Sequence, residues 1–177
     1  MNRYLKYLIL IVSLTSWGVA GAQLSFECKG LNDGPYIFRI NNKYRIKWIE
    51  DCTLKDRILS EEDFPAVREK FRFKFDFSDL DATWNSRPEI DGRFPKVDSI
   101  GIMTDIHGNW ESYSSLLINA GIIDKDLNWA FGTGHLVVLG DVFDRGDHVT
   151  EVLWHLFGLE KQAAKAGGMV HMLLGNH

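Results

Sequence analysis

Cysteine is scarce: Cys28 and Cys52 are the only two in a chain of 177 residues. That excludes a small scaffold stapled by several disulfides. No histidine stands beside either cysteine at ligand spacing, which argues against a zinc site. One disulfide between them is open to an exported chain, and the sequence leaves the pairing undecided. Proline is scarce too, with four residues, and there is no internal repeat or low-complexity tract. At 45% hydrophobic and 12% aromatic the chain is too apolar for disorder. An excess of positive charge is also missing. The formal net charge is −4, and residues 1–22 hold Arg3, Lys6 and no acid, so without them it is −6. A mildly acidic chain is a poor partner for nucleic acid or an anionic membrane surface, and neither is expected. Past residue 22 no run is apolar enough to span a bilayer.

The one strongly apolar run is at the start. Arg3 and Lys6 form a short basic region, Tyr7 to Leu14 is mostly apolar, and Ala20-Gly21-Ala22 is a small-x-small site. Residues 1–22 therefore read as a secretory signal peptide cleaved after Ala22 rather than as an anchor helix, because the run is short for a span. The expected product is exported, periplasmic or secreted, with no stable membrane insertion after cleavage.

Two regions follow. Residues 23–96 read as a β-rich accessory region. Tyr36 to Ile40 and the alternation Tyr44, Ile46, Trp48 predict a hairpin around Asn41-Asn42, a pair that tolerates positive φ. Phe71, Phe73, Phe75 and Phe77 alternate with Arg72, Lys74 and Asp76 and predict a strand whose aromatic face packs on the next region. Ser60 to Asp63 before Phe64 can open a helical turn, and Asp79 to Pro95 reads as a polar connector.

Residues 97–177 change to a β-α-β-α-β order. Strands are expected at Val97–Met103, His135–Leu139 and Met169–Leu174. A helix is expected from Trp110 to Ala120, with Tyr113, Leu116, Leu117 and Ala120 inward. A second begins near Val149 and stops at Gly167-Gly168. Continuous apolar strands separated by helices imply an α/β fold with a parallel sheet.

The chemistry-bearing residues cluster where these strands end. Strand one runs into Asp105-Ile106-His107-Gly108-Asn109. Strand two runs into Gly140-Asp141-Val142-Phe143-Asp144-Arg145-Gly146. Strand three runs into Gly175-Asn176-His177. Carboxyl ends of parallel strands are where open α/β sheets bind ligands. Asp105 and His107 would share one side of an extended segment and grip one ion. Carboxylate, imidazole and amide donors suit Mn, Fe or Zn. His155, on the second helix, and His171, inside a strand, read as structural, His135 and His148 stay open as extra ligands, and Asn109 reads as a phosphate or substrate contact.

Three such motifs in this order resemble the calcineurin-like metallophosphoesterase superfamily, and Gly140-Asp141-x-x-Asp144-Arg145-Gly146 resembles its phosphoprotein-phosphatase branch, including the bacterial Shewanella-like group. The resemblance covers residues 97–177 and implies the N-terminal half of that family's sandwich fold. The chain departs from the branch at Thr104, where Gly is usual, and at Leu174, where eukaryotic members often carry Arg.

The resemblance implies two divalent metal ions, with Asp105 and His107 on the first, Asp141 bridging and Asn176 on the second. It further implies Arg145 on the substrate phosphate, His177 as general acid and Asp144 orienting it. The expected activity is hydrolysis of phosphomonoesters on a small molecule or protein. Diester or nucleotide-polyphosphate hydrolysis is the alternative, and a non-catalytic binding fold is another. A chain closing at His177 is expected to be a truncated piece of the domain, poorly soluble, weak in Mn binding and without measurable phosphatase activity.

Overall fold

The computed structural model describes residues 28–85, 92–94 and 96–177. The expected signal peptide lies outside them. Among the described residues no helix is long and apolar enough to cross a membrane.

The N-terminal region opens with three antiparallel strands, β1 (Asp33–Ile40), β2 (Lys43–Glu50) and β3 (Thr53–Leu59), in the order β1-β2-β3. The expected hairpin is β1–β2. Asn41 and Asn42 turn it at φ 49° and 60°, and Ile37 pairs with Ile46. β3 was not expected from sequence. It follows a second two-residue turn, Asp51-Cys52, at φ 45° and 61°. Cys28 and Cys52 form a disulfide that ties the segment before β1 to this turn. The Cys52 N–H donates to Leu31 O (2.9 Å) beside it.

The phenylalanine alternation is not a strand. Phe71 closes helix α1 (Phe64–Phe71), Arg72 caps it at φ 55°, and Phe77 opens helix α2 (Phe77–Asn85). Phe73 and Phe75 lie on an unpaired link between the two helices. The spacing still reports burial correctly, because an extended link alternates sides as a strand does. Phe73 and Phe75 are buried, with ring centroids 4.7 Å apart, stacked among Phe64, Trp154 and Phe157. Helix α2 also replaces the first part of the polar connector expected from Asp79.

The second region is β4 (Ile100–Met103), α3 (Trp110–Asn119), β5 (His135–Val138), α4 (Val149–Ala166) and β6 (Met169–Met172). The three strands form one parallel sheet, β4-β5-β6. The fold is α/β, as expected, and each strand is shorter than the apolar run that announced it. Gly167 caps α4 at φ 82°, with its N–H on Ala163 and Ala164 carbonyls. Both helices pack on one face of the sheet. There Tyr113, Leu117, Val152, Leu156 and Leu159 meet Leu136 and Val138. Leu116, expected inward, is 61% exposed. The opposite face is not buried, since Ile100 and Ile102 are 58% and 66% exposed.

Helix α4 serves both cores. Trp154 and Phe157 pack on the aromatic cluster of the first region, and Trp154 Nε1–H donates to Pro35 O (2.8 Å). On another face of the helix, His155 is buried between Tyr113 and Leu127 O, to which its Nδ1 and Nε2 lie at 2.7 and 2.9 Å. A carbonyl only accepts, so Nε2 carries the proton and Nδ1 accepts from the Tyr113 hydroxyl. Burial holds the His155 imidazole down to about 4 from 6.5, and the Lys74 charge adds to this against the Leu127 bond. Between pH 6.5 and about 4 the unfolded chain therefore binds a proton that the folded chain refuses. Stability falls as pH drops through that window, by about 3 kcal/mol in all. Urea unfolding of wild type and His155→Gln, which keeps a donor for Leu127 O, should show that component of the acid slope lost in the variant. Equal slopes would contradict the assignment.

Candidate active site

In the parallel register Ile100, His135 and Met169 are level, so the three strands end together. The ladder continues past them, with Leu139 N–H on Met103 O and Leu173 N–H on Val138 O, both 2.9 Å. Each strand then delivers one motif. Between residues of opposite chemistry, Ile106 and Val142 point into the core and anchor their loops there, 5% and 1% exposed.

The loops after β4 and β5 are bound to one another by main chain. His107 N–H donates to Asp141 O (2.9 Å) and Gly108 N–H to Val142 O (3.0 Å). In return Gly146 N–H donates to His107 O (2.8 Å) and His148 N–H to Gly108 O (3.2 Å). The approach leaves no space for side chains. A Cβ on Gly108 would sit 2.8 Å from Gly146 O, and one on Gly146 would collide with His107 O. A Cβ on Gly140 would collide with Gly175 N, and one on Gly175 with the Asp141 carboxylate, so the third loop is held in the same way.

Five polar residues of these loops are left-handed: Asp105, His107, Asp141, Asp144 and Arg145, at φ 52°, 47°, 50°, 71° and 74°. Asp105 and His107 thus converge through tight turns and not, as expected, along an extended segment. One ligand atom each from Asp105, His107 and Asp141 lie within 4.8 Å of one another. His107 Nδ1 is 2.9 Å from Phe143 O. It must donate there, which leaves the Nε2 lone pair free, 3.6 Å from Asp105 Oδ1. Thr104 Oγ1–H donates to Asp105 Oδ2 (2.8 Å) and His177 N–H to Asp141 Oδ1 (3.1 Å). Two oriented carboxylates and an imidazole with its lone pair inward are a fitting donor set for Mn, Fe or Zn.

Residues 99–177 match the calcineurin-like phosphoesterase family. The chain is 35% identical over 85 residues to Shewanella-like protein phosphatase 2 of Arabidopsis thaliana, covering 48% of this chain and 22% of the relative. It is 34% identical over 119 residues to Shewanella-like protein phosphatase 1 of Plasmodium berghei (strain Anka), covering 66% and 32%. Two crystal structures of the cold-active protein-tyrosine phosphatase, one described as from the psychrophile Shewanella sp., superpose with TM-scores of 0.59 and 0.62 at 35% and 33% identity. They cover 83% and 84% of this chain and 44% and 43% of theirs. Coverage that wide takes in much of the N-terminal region as well. The chain spans less than half the length of these proteins.

The remaining expected residues surround the Asp105–His107–Asp141 cluster. His177 Nδ1 is 3.3 Å from Asp144 Oδ2, and the His177 and His107 rings are 5.2 Å apart. Asn176 is exposed and stands between Gly175 and His177, both of which touch Asp141. The Arg145 side chain is exposed, its Nε 4.0 Å from Asp144 Oδ2, while the Arg145 main-chain N–H donates to Asp144 Oδ1 (2.9 Å). Asn109 caps α3, its Oδ1 accepting from Ser112 N–H (3.0 Å), a role its place before the helix could have announced. A cavity of about 440 Å³ is lined by Asp105, His107, Asn109 and Arg145. A larger one, about 750 Å³, lies between α1, the link that follows it and Leu127-Asn128, and shares no residue with it. Sequence reasoning missed Thr104 as an orienting donor, having read it only as a departure from glycine. The Phe143 carbonyl gives no sequence signal.

The glycine contacts yield a direct check. Mn²⁺ should raise the melting temperature of the wild-type protein. In Gly146→Ala the added Cβ pushes the two loops apart, so Mn affinity should fall at least about tenfold, roughly 1.4 kcal/mol. Isothermal titration with Mn²⁺ reads this, and unchanged affinity would rule out the interlock as what positions the ligands.

Proposed function

We propose that the protein is a metal-dependent phosphatase acting on phosphomonoesters, and on phosphorylated proteins in particular. The observation that carries this reading is the position of Asp141. Its carboxylate is grouped with Asp105 and His107 and also receives the His177 N–H at the end of β6. That position supports reading Asp141 as the ligand two ions would share, with Asp105 and His107 holding one and Asn176 the other. The names of the relatives, protein phosphatase and protein-tyrosine phosphatase, favour a phosphoprotein substrate.

Bound divalent ions would supply an acidified water and neutralise charge during in-line attack on phosphorus. The chain's own residues do the rest. Arg145 presents a planar, permanently charged fork to the phosphate oxygens across the cavity, with Asn109 beside it. As the imidazolium, with Nδ1 3.3 Å from Asp144 Oδ2, His177 would give up its Nε2 proton to the leaving oxygen and keep the one on Nδ1. Asp144 would orient that ring and favour its protonated form.

The disulfide between Cys28 and Cys52 suits an oxidising compartment, which supports the reading of residues 1–22 as a signal peptide and an exported, periplasmic or secreted protein.

Hydrolysis of p-nitrophenyl phosphate by the whole protein with Mn²⁺ tests the proposal. Asp141→Asn should lower kcat by about 10³-fold or more. Arg145→Ala should lower kcat/KM by about 10²-fold, largely through KM. Activity that survives EDTA, or that Asp141→Asn leaves intact, refutes the mechanism.

A further inference from the structure

The three-stranded sheet has two edges, and they are unlike. β1 is blunted: it carries Pro35, its register slips between Asp33 and Tyr36, and Trp154 of α4 bonds to Pro35 O. β3 has no proline and no bulge. It pairs with β2 without a break from Glu50↔Thr53 to Tyr44↔Leu59, and among the described residues no other strand joins it. The two-residue turn Asp51-Cys52 makes Glu50 and Thr53 the closing hydrogen-bonded pair. Alternation then turns the N–H and C=O groups of Leu54, Asp56 and Ile58 outward.

The side chains along this edge alternate in chemistry. Leu54 and Ile58, 61% and 60% exposed, stand on one face, with Asp56 between them already held by Arg45 and Lys47. Lys55 and Arg57 stand on the other, Arg57 lying 5.7 Å over the Trp48 ring.

We propose that the β3 edge takes an extended polypeptide segment by strand addition, one that sets apolar residues beside Leu54 and Ile58 and acidic residues beside Lys55 and Arg57. The site is separate from the phosphoesterase cluster and does not depend on its activity. Main-chain bonds supply affinity, and the alternating side chains supply selectivity. Charge decides the occupant. A second copy pairing antiparallel about Asp56 sets Lys55 against Arg57 twice and Asp56 against Asp56, like charges directly opposite. An acidic partner strand turns the lysine and arginine contacts from repulsive to attractive.

Fluorescence polarisation with a labelled Thr-Val-Glu-Thr-Glu-Ile-Thr peptide and the protein tests this. The acidic peptide should bind saturably, and its Thr-Val-Lys-Thr-Lys-Ile-Thr counterpart at least tenfold more weakly. N-methylation at alternate residues should abolish binding in one alternation, because only one set of amides faces β3. The double variant Lys55→Glu/Arg57→Glu should invert the preference between the two peptides. Absent binding of the acidic peptide, or retained binding in both methylated forms, overturns the proposal. So does a dimer in sedimentation that the acidic peptide fails to dissociate, since a second copy then holds the edge.

Discussion

Everything chemical in this chain hangs on main chain touching main chain at the carboxyl end of the parallel sheet. Four backbone hydrogen bonds tie the loop of His107 to the loop of Asp141, and glycines at 108, 140, 146 and 175 let three loops approach where no Cβ fits. The backbone therefore places the ligands, and Thr104 Oγ1 and Phe143 O orient the Asp105 and His107 side chains. Ile106 and Val142 drive into the core from the same loops, so the side chains on either side of them must turn outward together. The packing that stabilises the fold is thus also what aims the carboxylates.

Helix α4 carries the second constraint. Val152, His155, Leu156 and Leu159 complete the core under the sheet, while Trp154 and Phe157 belong to the aromatic cluster of the N-terminal region. A helix that is apolar around most of its girth is buried on most sides. Two cores resting on one helix cannot shift independently, so the N-terminal region bears on the element that immediately follows the Asp144-Arg145 loop.

Much of this was legible in the sequence, for physical reasons that differ by element. The parallel strands announced themselves as apolar runs, and the motifs after them landed together because parallel strands end level. The pairing of His177 with Asp144 was expected from the family resemblance. β3 was not legible, because Thr53-Leu54-Lys55-Asp56-Arg57 has almost nothing facing the core; of its residues only Leu59 is buried. The phenylalanine repeat gave the right buried positions and the wrong element, since period two marks extended backbone and not pairing. Leu116 shares its spacing with Leu117, yet α3 meets the sheet along a narrow stripe that takes only Tyr113 and Leu117. Left-handed turns at Asp105 and His107 leave no pattern, because Asp and His adopt that backbone only in a minority of their positions and nothing in the spacing marks these two.

That last failure is itself informative. Five charged or metal-competent side chains in left-handed backbone each cost of order 1 kcal/mol, against a total stability that in small proteins is about 5–15 kcal/mol. Asparagine or glycine would relieve the strain at every one of these positions but would remove a carboxylate, an imidazole or a guanidinium. Two carboxylates held close beside an imidazole add repulsion to the strain. Folding alone gains nothing from such an arrangement. A bound divalent cation does, because it cancels the repulsion and stabilises only the folded form. The strain is therefore concentrated at the ends of β4 and β5, where a cation could offset it. The hairpin turns at Asn41-Asn42 and Asp51-Cys52 use the same backbone region for an ordinary purpose, reversing a strand. The difference between the two uses is what separates a site from a turn in this fold.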